Sequence, residues 1–157
     1  MSVFLTPHFS FNELTHTNRK EYLRLNQEVA RSLIYGGVAL CAILLEPIRC
    51  YFNAPVVIHS GFRCIPLNKA IGGSETSQHR LFQAADFHVG NHDLQEVFEW
   101  VCNSSLPFGQ LLLEGRGQDI KPTWIHLSLG EPWRERERCR QTGIWSREGG
   151  LRILPQE

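Results

Sequence analysis

The sequence predicts an α+β fold, and three observations carry that reading. Helical periodicity dominates the first third of the chain. Alternating and β-branched segments dominate the remainder. The two kinds of element do not alternate as βαβ units, so a parallel α/β sheet is disfavoured. The expectation is a single domain over 1–157, a central antiparallel sheet packed by N-terminal helices, with a tail from about 131 that has no clear pattern. A chain of 157 residues with 42% hydrophobic and 20% charged residues is large and apolar enough to bury a core of its own.

The elements follow in order. Ser10-Phe11-Asn12-Glu13 matches a capping box, with Phe9 and Leu14 placed as a hydrophobic staple, so a short helix starts near Phe11. A longer helix is expected from about Gln27 to Phe52, where Ala30, Leu33, Ile34, Val38, Cys41, Leu44, Leu45, Ile48 and Phe52 recur at three and four. Pro47 removes a backbone donor inside it, which predicts a kink or a restarted turn. Pro55 to His59 reads as a strand and Gly61 to Ser77 as an irregular excursion with a short helix around Pro66 to Ala70. Ala84 to Val89 is a second strand. Asn91 or Asp93 then caps a helix carrying the stripe Leu94, Val97, Phe98, Val101 and Cys102. Phe108 to Glu114, Thr123 to Leu129 and Leu151 to Leu154 are further strand candidates.

Composition excludes several function classes. Lys+Arg and Asp+Glu balance at 16 each, so the broad basic field of a nucleic-acid binder is missing and no nucleic-acid partner is indicated. The Arg/Glu alternation from Arg134 to Arg140 reads as a solvated segment rather than a polyanion-binding tail. Five cysteines, an odd number without a CxxC pair, fit a reducing compartment at synthesis, with Cys41 and Cys102 as small buried hydrophobes. The N-terminal residues show no signal-peptide pattern. The apolar run Leu33 to Leu45 is too short for a hydrocarbon layer about 30 Å thick, so no membrane insertion is expected.

Seven histidines direct attention to metal or acid–base chemistry. In Trp124-Ile125-His126-Leu127-Ser128-Leu129, alternation puts the aliphatic residues on one face and Trp124, His126 and Ser128 on the other. The aliphatic face must be the core side, so His126 points to a polar cleft or solvent. Upstream, His79 ends a Gly/Ser loop, and Asp86 lies in the apolar strand Ala84-Ala85-Asp86-Phe87. A carboxylate there is costly unless it is paired, with Arg63 or Arg80, or binds a cation. Together His79, Asp86 and His126 supply the two imidazoles and one carboxylate of an open zinc site, with a fourth position for water.

These residues carry a family resemblance. The chain resembles the M15 zinc peptidases, in particular the phage-associated, peptidoglycan-cleaving branch related to D-Ala-D-Ala carboxypeptidases and L-alanyl-D-glutamate endopeptidases. The likeness runs from about Leu5 to Leu129, through LTPHFSFNELTHT, LLEPIR, VIHSGFR, LNKAIGGSETSQH, QAADF, FGQLLLEG and WIHLSL. The family's SxHxxxxxxD pattern with a distal histidine maps onto His79, Asp86 and His126. The resemblance implies an α+β fold with an antiparallel sheet, one catalytic Zn2+, and hydrolysis of peptide bonds in cell-wall stem peptides.

Two positions depart from the family pattern. Phe82 stands where the family has glycine, which must alter the turn or crowd the pocket. Thr123 stands where many members carry an acidic general base, and threonine cannot serve as one at neutral pH. In the phage-associated branch the strand resembling FGQLLLEG ends in a glutamate, so Glu114 is the candidate base, with Asp119 a weaker substitute. Alternation places Gln110, Leu112 and Glu114 on one face. Arg63, similar to the arginine of the family's SGYR motif, implies a cation that holds substrate or the developing oxyanion, or else an ion pair with Asp86. Ser77 orients its loop or donates to a ligand, or makes a local turn bond. Of the other histidines, His59 and His88 are placed to support the site, His8 and His16 to lie on the surface or cap helices, and His92 to be exposed.

The expected activity is a zinc-dependent peptidase acting on a peptidoglycan peptide substrate, as a phage lysin or virion-associated wall-degrading enzyme. It would be made in the cytoplasm and act at the bacterial wall after release, or be carried in a virion. Two rivals remain: a catalytically inactive binding or structural protein on the same scaffold, favoured by Phe82 and Thr123, and a metal hydrolase of another small peptide or amide.

Overall fold

Residues 3–115, 122–130, 141–146 and 149–154 are described by the computed structural model. Asp119, Cys139 and the Arg134–Arg140 run lie outside these residues. Phe4–Thr6 (β1) and Phe9–Ser10 (β2) pair as a small antiparallel ribbon that leads into α1, Phe11–Thr15. The capping box forms as the spacing predicts: the Glu13 amide donates to Ser10 Oγ at 3.2 Å, and the Ser10 amide donates to the Glu13 carboxylate at 3.4 Å.

The long helix differs from expectation at its start and in its middle. Helix α2 begins earlier, at Lys20–Ser32, and breaks at Leu33. From there α3 (Ile34–Leu40), a π-turn (Cys41–Leu45) and α4 (Glu46–Phe52) form one rod. Pro47 has no N–H to give to the preceding turn. The ladder ahead of it widens instead, and the Glu46 amide reaches back to the Cys41 carbonyl. The rod Ile34–Phe52 has 19 residues and a mean hydropathy of 1.4, enough in length and composition to cross a bilayer, unlike the shorter run read from the sequence. Here it is the core helix: Leu40, Cys41, Leu44, Leu45 and Ile48 are fully buried, while Tyr35, Ile43 and Tyr51 face outward.

The remaining elements are β3 (Val56–Ser60), α5 (Ile65–Ala70), a 3-10 turn (Gln78–Leu81), β4 (Ala84–Val89), α6 (Leu94–Asn103), β5 (Phe108–Gly115), β6 (Pro122–Leu129), β7 (Gln141–Ser146) and β8 (Gly150–Ile153). Asp93, one of the two expected caps, accepts from the Gln95 amide at 2.8 Å. Strands β3 to β8 form one sheet in the order β3-β4-β6-β5-β7-β8. Its first four strands are antiparallel, as expected, but β7 joins β5 in parallel, so the sheet is mixed. Helices also interleave with strands more than the sequence indicated. Strands β4 and β5 both run antiparallel to β6, so α6 joins two parallel strands with β6 inserted between them. Strand β7 has no counterpart among the sequence expectations, because Gln141–Ser146 sits in a tail rich in Gly, Arg and Glu.

Phe82 corrects one expectation. It does not crowd a pocket: its side chain is fully buried in the core, against the rings of Phe62 (5.3 Å) and Phe11 (6.5 Å). The residue still adopts the left-handed turn, at φ 58°, where a glycine would be unstrained. Burying a phenylalanine contributes about 1.5–3 kcal/mol, which offsets a left-handed strain of about 1–3 kcal/mol. The ring lies so close to the rod that a Cβ on Gly37 would stand 2.7 Å from Phe82 Cζ. Gly37→Ala should therefore cost ~1–3 kcal/mol by overpacking, read as a lower urea midpoint. An unchanged midpoint would mean that the ring moves aside freely.

Candidate metal centre and cleft

The site is built on one face of the sheet. Cross-strand partners place Ser60, Asp86, His126, Leu112 and Gly143 in one row across β3, β4, β6, β5 and β7. Partners directly opposite share a face, so Asp86 and His126 project to the same side. The opposite side carries Phe87, Ile125 and Leu127, all fully buried, which is the core face that alternation assigned.

His79 arrives from the 3-10 turn. Its Nδ1 donates to the Gly61 carbonyl at 2.6 Å, leaving the Nε2 lone pair for the cleft. That Nε2 lies 3.1 Å from Asp86 Oδ1 and 3.3 Å from His126 Nδ1, and His126 Nδ1 lies 2.9 Å from the same carboxylate oxygen. All three residues are buried, with relative exposures of 2%, 5% and 8% for His79, Asp86 and His126. An unprotonated donor set of this kind brings electron-rich atoms together and calls for a cation between them. Ligand atoms on a tetrahedral ion with bonds near 2.05 Å are about 3.3 Å apart. The three predicted ligands therefore form a group that could hold a metal ion.

The electrostatics follow from burial and proximity. Burial alone would raise the Asp86 carboxyl; the closeness of His79 and His126 outweighs it and holds the group well below the usual carboxylate range. Burial pushes His79 down despite Asp86. At His126 burial also acts downward, but the hydrogen bond and charge of Asp86 win and raise it.

Arg63 sits beside this group. Its Nη2 donates to Asp86 Oδ2 at 2.5 Å and its Nε to Ser60 Oγ at 2.8 Å. The ion pair with Asp86 read from the sequence is therefore present. Arg80, the other candidate, is not its partner here. The loop that carries Arg63 is clamped from below by Asn26 of α2. Asn26 Nδ2 donates to the Thr15 and Phe62 carbonyls at 2.9 and 3.0 Å, and its Oδ1 accepts the Cys64 amide at 2.7 Å. The sequence expectation missed this residue because it started the helix at Gln27, just past Asn26. With the true start at Lys20, a polar Asn26 falls on the stripe of Tyr22, Ala30 and Leu33, and that is the signal.

Glu114 lies one row from His126, diagonally across β5 and β6, at a spacing of about 7–8 Å between such neighbours. Its Oε2 accepts the Trp124 indole N–H at 2.8 Å. Burial, reinforced by the Asp86 charge, raises its pKa above the ordinary glutamate value. Thr123 is exposed at a bulge of β6, outside the cleft wall, so the departure there leaves the site face unchanged. Ser77 lines the cleft, and its backbone makes turn bonds to Ser74 and Arg80.

Elsewhere, His59 Nε2 and His88 Nδ1 lie 2.7 Å apart and satisfy each other. Burial and then the neighbouring His88 push His59 down. His8 pairs with Glu46 at 2.7 Å, and His16 is exposed at the end of α1. His92 is half-buried against Phe52 and Glu96 rather than exposed. Cys41 is buried, and burial first, then Glu13 and Glu46, pushes its thiol up to about 12. Cys102 is only half-buried.

The cleft over this face measures about 1200 Å³ and is bordered by Arg63, His79, Asp86, Glu114, Trp124 and His126. It is larger than a site for one small molecule. The sequence matches the peptidase M15 family over residues 7–128. Comparison with curated proteins gives no match.

Asn26→Ala should orphan three buried backbone groups, at about 1–3 kcal/mol each. The expected result is a clearly lower Tm. A stability equal to wild type would show that water replaces the amide.

Proposed function

Because the chain belongs to the peptidase M15 family, with a match that includes His79, Asp86 and His126, we propose that it is a zinc peptidase cleaving peptide bonds in bacterial peptidoglycan stem peptides. The role would be that of a phage lysin or virion-associated wall-degrading enzyme. One observation carries the reading: His79 Nε2, Asp86 Oδ1 and His126 Nδ1 converge within 3.3 Å on a cleft that also holds a perturbed carboxyl group, Glu114.

In this reading His79, Asp86 and His126 hold one Zn2+, which supplies Lewis acidity for a carbonyl and acidifies water. Gly61 fixes the His79 ring through Nδ1, so that Nε2 is the donor. Glu114 is the general base: it takes the proton of the attacking water and returns it to the leaving amine. Arg63 stabilises negative charge on the carbonyl oxygen, with its guanidinium held at the cleft by Ser60 and Asp86. Ser77 contributes to the wall beside the substrate. The rival reading of an inactive scaffold rested on Phe82 and Thr123, and neither residue reaches the cleft.

Three outcomes are expected. His79→Ala and Asp86→Asn should each lose bound zinc by elemental analysis, and full occupancy in both would overturn the ligand assignment. Glu114→Gln should retain zinc while release of amines from peptidoglycan falls by about 10²–10⁴-fold. The pH profile supplies a third. The base acts ionised, so kcat/KM should fall as the pH drops through the pKa of Glu114. The Trp124 indole favours the ionised form, so Trp124→Phe should move that acid limb to higher pH. A limb that stays put or moves lower counts against Glu114.

A further inference from the structure

A second pair of imidazoles converges on the site face of the sheet, apart from the proposed metal centre. Strands β3 and β4 pair through Ile58 with Phe87 and then through Ser60 with Asp86, so β3 carries one residue more than β4 between these pairs. That extra residue is His59, and the irregularity is a β-bulge. Regular alternation would put His59 and Ser60 on opposite faces. With the bulge, both border the cleft. His88 stands on the same face as Asp86, two residues further along β4. The bulge aims His59 at it: His59 Nε2 and His88 Nδ1 are 2.7 Å apart, with ring centroids at 4.9 Å and planes 31° apart.

Two neutral ring nitrogens this close share one proton, one donating and the other accepting. Nitrogens at 90–109° on an ion with bonds near 2.05 Å are about 2.9–3.3 Å apart. A small opening of the pair thus admits a cation in place of the proton. The donating ring moves its proton to its other nitrogen, so both rings present a lone pair and no proton is lost. Space is available, because His59 is exposed and β3 is the edge strand of the sheet. Among the described residues no other hydrogen bond holds either ring, whereas the Gly61 carbonyl anchors His79.

We propose that His59 and His88 form a second cation site, which takes one divalent transition-metal ion such as Zn2+ through two imidazoles and completes its coordination with water. The Asp86 and His88 positions are about 6.8 Å apart along β4, wider than the roughly 3.5–4 Å between the ions of a two-metal clamp. The second ion therefore has its own ligands rather than a share of the first centre. It sits at the β3 edge, with open positions beside the cleft that His59 borders. This site goes beyond the peptidase reading and does not depend on it.

The test counts bound ions while the histidine ring nitrogens are followed by NMR. Metal-free, 15N-labelled full chain is titrated with ZnCl2. Two ions should bind, the second about 10–100-fold more weakly because nothing fixes the outer nitrogens of its ligands. The His59 Nε2 and His88 Nδ1 signals should shift together as the second ion binds. His59→Ala should remove that uptake and keep the first. His79→Ala should do the reverse, which separates a failure here from a failure of the His79, Asp86 and His126 assignment. Ring signals of His59 and His88 that stay fixed at saturating zinc, as they would if exposed Cys50 or His16 took the ion, overturn the site. A second ion bound by His59→Ala with wild-type affinity also overturns it.

Discussion

A carboxylate buried in an apolar strand is the constraint around which this molecule is organised. Ala84, Ala85 and Phe87 flank Asp86 and are fully buried, so the Asp86 charge has no water to solvate it. Compensation comes from three separate places. His126 comes from the neighbouring strand, His79 from the turn before β4, and Arg63 from the loop after β3. Losing one partner would leave the others facing an uncompensated charge. The same arrangement that makes the site electrostatically tolerable makes it a ligand set for a cation.

The helical layer serves that arrangement from behind. The Asn26 side chain ties α2 to the loop carrying Arg63 through the Phe62 carbonyl and the Cys64 amide, and to the end of α1 through the Thr15 carbonyl. Gly61 packs so tightly on α1 that a Cβ there would lie 2.2 Å from the Leu14 carbonyl oxygen. That approach brings the Gly61 carbonyl to His79 Nδ1. Phe82, immediately after the turn, anchors it by driving its ring against Gly37. Sequence features that look like packing details thus set the tautomer and position of a proposed ligand.

The sheet then lays the functional groups out by row. Asp86 and His126 share one row, and Glu114 shares the next with Trp124 and Trp145. Membership of the M15 family covers everything up to the last histidine, whereas β7 adds a wall that the family match does not include.

Local patterns alone determined a good deal. The capping box of Ser10 and Glu13, the cap at Asp93, the strand Ala84–Val89 and the face on which His126 stands all follow from interactions within a few residues. Those depend on backbone geometry that neighbours in sequence impose. What the tertiary structure decided are matters of register and partnership. Asp86 meets His126 because β4 and β6 pair in one register, and a shift by one residue would turn one of them into the core. Asn26 becomes a clamp only when the loop is laid over it. The same holds for Phe82, whose left-handed turn is tolerated because glycines of the core helix make room for its ring. Strand β7 is a strand because β5 offers it one edge and β8 pairs along the other. Sequence spacing could nominate His79, Asp86 and His126, but only long-range packing brings their nitrogen and oxygen atoms within one coordination sphere.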